Sequence, residues 1–228
     1  MTGQFYLIFL SFLLLFTHEC GHFFTACLFK WKTNEITFYP FGGIARFASM
    51  INCPILEELL VLVMGPLVQC VFYYFFKDLL MTPYQTKLFT TIHYNILVFN
   101  LLPIYPLDGG RIIEVFLCYF MSYQDSYKVT FLISYLSLLL IFIFFLVYPS
   151  TYFLLMFILI LLRLIKEKKY LKYYYERFLL ERYLKKLVYK KRKIVRSEKK
   201  FRREYSHIIK NGDWYQSEEE YLKDKYVT

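Results

Sequence analysis

Long apolar stretches occupy most of the first 165 residues. The first covers residues 4–29, and its only formal charge is Glu19. About 20 consecutive apolar residues are enough for a helix to cross a bilayer, so this stretch predicts a membrane-spanning helix. Four further stretches have the same character and raise the prediction to about five transmembrane helices: 59–76, 89–120, 131–148 and 151–165.

Two segments depart from this pattern. Pro103 and Pro106 break the third stretch at residues 103–110, because proline cannot donate a helical hydrogen bond. Residues 35–47 are β-branched and aromatic on both sides of a Pro-Phe-Gly-Gly sequence. This second segment predicts a short membrane-associated β-hairpin, with an ordinary interfacial loop as the alternative.

The composition supports a membrane protein, since the 228 residues are 57% hydrophobic and 22% aromatic. Residues 163–210 hold 19 of the 28 Lys and Arg but only 5 of the 18 Asp and Glu. A basic block directly after the last apolar stretch predicts a cytoplasmic tail. No nucleic-acid motif accompanies the charge, so we expect the lipid bilayer, and no nucleic acid, as its partner.

We therefore predict an all-α polytopic membrane protein in two parts. Residues 1–165 form a transmembrane core with the small β-hairpin, and residues 166–228 form the basic helical cytoplasmic tail. Within the tail, we expect a helix to about residue 203, a second hairpin in 206–215 and a capping box in 217–220 that begins a last helix. The five cysteines are scattered and predict no disulfide framework.

The sequence His18-Glu19-Cys20-Gly21-His22 carries the clearest chemical signal. Two histidines four residues apart lie on one face of a helix, so both imidazoles can bind one divalent metal ion. Glu19 then lies beside the metal, where it can accept a proton from water. Three ionisable groups within a membrane helix are costly without a shared ligand. Hydrogen-bonding contacts between helices are the alternative reading.

A catalytic zinc site needs a third protein ligand, and Asp108 is the candidate. It follows the two prolines and precedes Gly109-Gly110, so its carboxylate can point inward from a broken helix. Capping of the following helix is the alternative role. Two other histidines have simpler interpretations: His93 as a polar packing contact and His207 as a surface residue of the tail.

These motifs together resemble the site-2 protease (M50) family of intramembrane zinc proteases, which pairs an HExxH helix with an N-x-x-P…L-D-G helix. Softer likeness favours the sporulation branch of the family and covers most of residues 5–183. It extends to Pro40-Phe41-Gly42-Gly43, Gly65-Pro66, the segment from Asn100 to Gly110, and Phe178-Leu179-Leu180-Glu181-Arg182-Tyr183.

The resemblance implies Zn²⁺ held by His18, His22 and Asp108, with Glu19 as the general base. It also implies that the hairpin and the broken helix bind substrate, through the following residues: Asn100, Pro103, Pro106, Phe41 and Gly43. The expected substrate is a membrane-associated protein, a pro-sigma factor, cut in the membrane of the mother cell that surrounds the forespore. Membrane-protein regulators are further possible partners, and the tail resembles a fragment of a CBS domain.

Two other functions remain open from the sequence. The first is that of a site-2 protease that cleaves anti-sigma factors or signal-peptide remnants. A membrane metal transporter or sensor would use the histidines as a transit site, but transporters often contain internal repeats and none is visible here.

Overall fold

The fold is described from a computed structural model, for residues 2–31, 33–39, 42–47, 51–79, 82–212 and 214–227. Phe41, which we expect to contact substrate, lies outside these residues. The chain divides into two compact units. The first comprises Met1–Ser49, Leu56–Leu102 and Leu107–Gly109; the second comprises Met50–Ile55, Pro103–Pro106 and Gly110–Thr228.

The first unit begins with helix α1 (Thr2–Leu28), which is followed by strands β1 (Thr33–Tyr39) and β2 (Gly42–Phe47). The two strands pair in antiparallel register, which confirms the predicted hairpin, and β2 runs beside α1. Most of helix α2 (Ile55–Phe76) and the whole of α3 (Pro83–Asn100) complete the unit. Its apolar core joins α1 and α3 through Leu10, Leu14, Phe89 and Ile92.

The second unit contains most of helix α4 (Asp108–Leu117) and all later elements. Helices α5 (Tyr123–Val147) and α6 (Thr151–Lys185) form an antiparallel pair with ring contacts along its length. Strand β3 (Lys191–Val195), strand β4 (Tyr205–Asn211), strand β5 (Trp214–Ser217) and helix α7 (Glu218–Val227) follow. The three strands form one sheet in the order β3-β4-β5, and α7 packs on β4 and β5.

Among the described residues, three helices are long and apolar enough to cross a membrane: Phe5–Leu28, Ile55–Leu79 and Tyr123–Val147. They coincide with the first, second and fourth predicted spans, and the chain is accordingly an integral membrane protein. Helices α3 and α6 also occupy predicted apolar stretches, so the total of about five transmembrane helices stays a prediction.

The first helix of the tail is shorter than predicted. We expected a helix to about residue 203, but α6 ends at Lys185 and residues 191–195 form a strand. This strand pairs in parallel with β4, which lies ten or more residues further along the chain. The Lys- and Arg-rich composition is compatible with helix, so only this nonlocal pairing decides the conformation.

The predicted hairpin and capping box of the tail are confirmed. Strands β4 and β5 are antiparallel, and Gly212 between them adopts a positive φ of 63°. The backbone N–H of Glu220 donates to Ser217 Oγ at 3.2 Å, and the backbone N–H of Ser217 donates to Glu220 Oε2 at 3.1 Å. These two reciprocal bonds are the expected capping box at the start of α7.

A buried polar cluster holds the tail together. Arg182 donates to Glu218, to Tyr205 O and, at 3.2 Å, to Asn52 Oδ1. His207, which we expected on the surface, is buried and donates from Nδ1 to Glu218 Oε2 at 2.9 Å. The expectation was wrong because the alternation of β4 turns His207 and Ile209 to the covered face of the sheet.

Candidate metal centre

Close approach of helices α1 and α2 forms one wall of the candidate site. A Cβ atom on Gly21 would overlap the main-chain oxygen of Met64, so glycine allows the two backbones to meet. A Cβ atom on Gly65 would overlap Nε2 of His22. Gly65 therefore allows α2 to pack against the HExxH helix.

The turn that follows α3 supplies a further side chain of the site, Asp108. Helix α3 ends at Asn100, and α4 begins at Asp108. Gly109 packs where a Cβ atom would overlap the carbonyl groups of Leu101 and Leu102, so the chain folds back on itself within a few residues. This turn directs the Asp108 carboxylate toward α1.

Three side chains converge at this place. His18 Nε2 lies 2.8 Å from Asp108 Oδ2, and His22 Nε2 lies 3.3 Å from the same oxygen. The two Nε2 atoms are 3.1 Å apart. Sequence reasoning placed these three residues together, and their ligand atoms all lie within 4.8 Å of one another. Asp108 begins α4 as well, so its position at the helix start and its contact with the histidines coexist.

The hydrogen bonds of the two imidazoles indicate which nitrogen is free. His18 Nδ1 lies 2.9 Å from Gln69 Oε1, and His22 Nδ1 lies 2.8 Å from the main-chain oxygen of Val61. Both of these oxygens only accept, so each Nδ1 carries the proton and each Nε2 presents a lone pair. Two lone pairs and a carboxylate oxygen repel one another unless a cation lies among them. The arrangement therefore fits a divalent metal ion.

The other predicted site residues have different positions. Glu19 follows His18 on α1 and is half-buried. Asn100 is half-buried at the last position of α3. Gly43 lies in β2 opposite Phe38. Pro103 and Pro106 belong to the second unit, in the segment between α3 and α4.

Gln69 was not among the predicted site residues, and His93 was predicted only as a polar packing contact. Gln69 is fully buried on α2 and contacts both His18 and His93. A polar residue within the apolar stretch 59–76 was the available signal, because buried polar groups in a membrane helix need a partner. His93 is a polar packing contact, as expected, and the residue that it contacts is Gln69.

Comparison with known proteins agrees with the site. Residues 5–88 match the sequence profile of peptidase family M50. The chain is similar to this family over these residues. Stage IV sporulation protein FB of Bacillus subtilis is 29% identical to this chain over 191 residues, which cover 80% of this chain and 66% of that protein. This similarity supports the expected sporulation branch.

A curated protein and a solved structure from Methanocaldococcus jannaschii are also similar to this chain. A zinc metalloprotease of Methanocaldococcus jannaschii is 33% identical over 133 residues, or 55% of this chain and 37% of that protein. The solved structure of a site-2 protease from the same organism matches with a TM-score of 0.55 and 25% identity over 70% of this chain and 76% of that one. The chain thus spans just under two thirds of the first relative and about a third of the second. This similarity implies a metal ion, and His18, His22 and Asp108 form a group that could hold one.

Proposed function

We propose that the chain is an intramembrane zinc endopeptidase that cuts a membrane-associated protein, a pro-sigma factor during sporulation. The convergence of His18 Nε2, His22 Nε2 and Asp108 Oδ2 is the observation that carries this proposal. The likeness to a protein named for stage IV of sporulation supports the substrate and a location in the mother-cell membrane around the forespore. In this arrangement the basic tail is cytoplasmic.

The donor set favours zinc among the divalent metals. Two imidazole nitrogens and one carboxylate oxygen form a typical catalytic zinc set that leaves a fourth position open. Ligand atoms about 2.0–2.1 Å from a tetrahedral ion are roughly 3.3–3.4 Å apart. The spacings of 2.8, 3.1 and 3.3 Å in this chain equal that value or fall short of it by at most about 0.6 Å.

Glu19 is the proposed general base. Bound zinc would polarise the scissile carbonyl and make water more acidic. The Glu19 carboxylate follows the first ligand on α1, where it can accept the proton of the attacking water and return it to the leaving amine. His18 and His22 keep their Nδ1 protons on fixed acceptors, so neither competes for this proton transfer.

Substrate binding is proposed at the hairpin and at the end of α3. A helical substrate hides its peptide bonds, so the cut segment must become extended. Of the residues that the structure describes, no third strand pairs with β1 or β2, so an extended substrate can add to an edge of this sheet. Gly43 lies on β2, and Phe41, Pro103 and Pro106 are proposed to contribute contacts. Asn100 is proposed to donate to the substrate backbone or to the developing oxyanion.

Co-expression with candidate pro-sigma factors tests this proposal. The wild type and Glu219→Gln, a change at an exposed position of α7, should shorten the substrate. Glu19→Gln should abolish processing while the protein still binds one zinc ion, because the ligands are unchanged. Processing by Glu19→Gln would contradict the assigned base. Processing of an anti-sigma factor or a signal-peptide remnant instead of every pro-sigma factor would contradict the substrate and retain the protease.

A further inference from the structure

Behind the candidate metal ligands lies a continuous network of buried polar groups. His18 is 1% exposed, Gln69 0% and His93 2%. They come from helices α1, α2 and α3 respectively, so the network connects three helices of the first unit. Buried polar side chains in an apolar environment are costly unless each finds a partner, and here each does.

The amide of Gln69 has only one orientation that satisfies its neighbours. Its nitrogen lies 3.1 Å from the main-chain oxygen of His93, which can only accept, so the amide donates on this side. The same nitrogen lies 3.2 Å from His93 Nδ1. Its oxygen must therefore face His18 Nδ1, at 2.9 Å, and accept the imidazole proton.

His93 is itself held in place at the far end. Its ring stacks on Tyr73 with centroids 4.1 Å apart and planes 8° from parallel. The Tyr73 hydroxyl in turn lies 3.0 Å from Thr90 Oγ1, one turn before His93 on α3. The orientation of Gln69 thus rests on a main-chain carbonyl and on a ring that packing immobilises.

We propose that Gln69 is a positioning residue that fixes the tautomer and ring direction of His18, so that Nε2 is presented to the metal ion. This inference rests on the proposed metal site. The second imidazole has no side chain in the same role, because His22 Nδ1 is held by the main-chain oxygen of Val61. Gln69 is accordingly a position where one side-chain substitution can weaken a ligand without removing it.

Metal affinity of the purified full chain tests this inference without any substrate. Cobalt(II) is the probe, since its absorption spectrum reports ligand geometry, and competition with zinc gives the affinity. Gln69→Met has a similar volume but cannot accept the His18 proton, and we expect its affinity to fall 10- to 100-fold. Gln69→Glu keeps an acceptor toward His18 and should remain within a few-fold of wild type with an unchanged cobalt spectrum.

A thermal melt of each variant separates positioning from simple contact between helices. Gln69→Glu loses the amide donation to His93 O, so it should be less stable than wild type and still bind metal normally. His93→Phe keeps the main-chain acceptor and the stacking on Tyr73, and it should lower affinity less than Gln69→Met. If Gln69→Met does not fold, the metal affinity of Gln69→Glu alone tests the inference.

Two results would overturn the inference. Wild-type affinity in Gln69→Met, or a loss of affinity in Gln69→Glu that parallels its loss of stability, would show that Gln69 only joins helices. These results leave metal binding by the wild type intact and so differ from a failure of the proposed function. A wild type that binds neither cobalt nor zinc would refute the proposed site and this inference together.

Discussion

At the level of single residues, the sequence alone indicated the metal-site candidates. Their spacing is local, or a catalytic metal site requires a further ligand of their type. The four-residue spacing of His18 and His22 fixes their common helix face. Asp108 followed from the need for a third ligand and from the prolines before it. Gln69 is different. Its contacts lie 51 residues back and 24 residues forward along the chain, and no local spacing indicates them.

Gly65 provides a test at this scale. Gly65→Ala should abolish metal binding and proteolysis, because the new Cβ atom would occupy the position of His22 Nε2. Metal content after purification measures the effect. Leu67→Ala, a change at an exposed apolar position of the same helix, is the control and should retain one metal ion. Full metal content in Gly65→Ala would contradict the close packing of α2 against His22.

At the level of secondary-structure elements, the apolar stretches predicted most helices well, because length and hydropathy decide them locally. Strand β3 could not be found in this way. Its sequence, Lys191-Arg192-Lys193-Ile194-Val195, becomes a strand through parallel pairing with β4, and that pairing depends on the buried cluster around Arg182.

This sheet should lose stability on acidification. His207 Nε2 accepts the backbone N–H of Arg202 at 2.9 Å, and burial lowers the pKa of His207 below its ordinary 6.5. Arg182 and Lys193 oppose its protonation further, whereas Glu218 favours it. A histidine whose pKa is lowered by folding stabilises the fold fully above pH 6.5 and less as the pH falls below that value.

Glu218 adds to this effect at lower pH. Burial alone would raise its pKa, but hydrogen bonds from His207 and Arg182 bring it below the ordinary 4.5. Hydrogen exchange of residues 191–217 in the full chain should therefore accelerate progressively below pH 6.5, after correction for intrinsic rates. His207→Gln should remove the part of this dependence that begins just below pH 6.5. An identical pH profile in the variant would contradict the role of His207.

At the level of the whole molecule, the tail has a structural role that its charge did not reveal. Arg203 donates to Cys53 O at 2.8 Å, and Glu204 Oε1 accepts the backbone N–H of Ile55, the first residue of α2, at 2.8 Å. Arg182 bonds Asn52 in the same loop. The tail therefore holds the segment that precedes α2, in addition to any contact of its lysines with lipid.

Deleting residues 186–228 should thus lower the thermal stability of the protein and abolish cleavage, because Cys53 and Ile55 lose these partners and Arg182 loses Glu218. Neutralising four exposed cations is the matched comparison, since it removes charge and keeps the buried cluster: Lys190, Lys191, Arg192 and Lys199. That variant should keep its stability, and any loss of cleavage in it would report recruitment of substrate or lipid. A truncated chain with normal stability and cleavage would contradict the structural role.

Metal content of the purified chain, measured by mass spectrometry, tests the central claim most directly. The wild type should contain one zinc ion per chain, and Asp108→Ala should contain almost none although its helices remain folded by circular dichroism. Asp125→Ala, which also removes an aspartate from the first turn of a helix, should keep the ion. Equal zinc in Asp108→Ala and the wild type, or no zinc in either, would contradict the account.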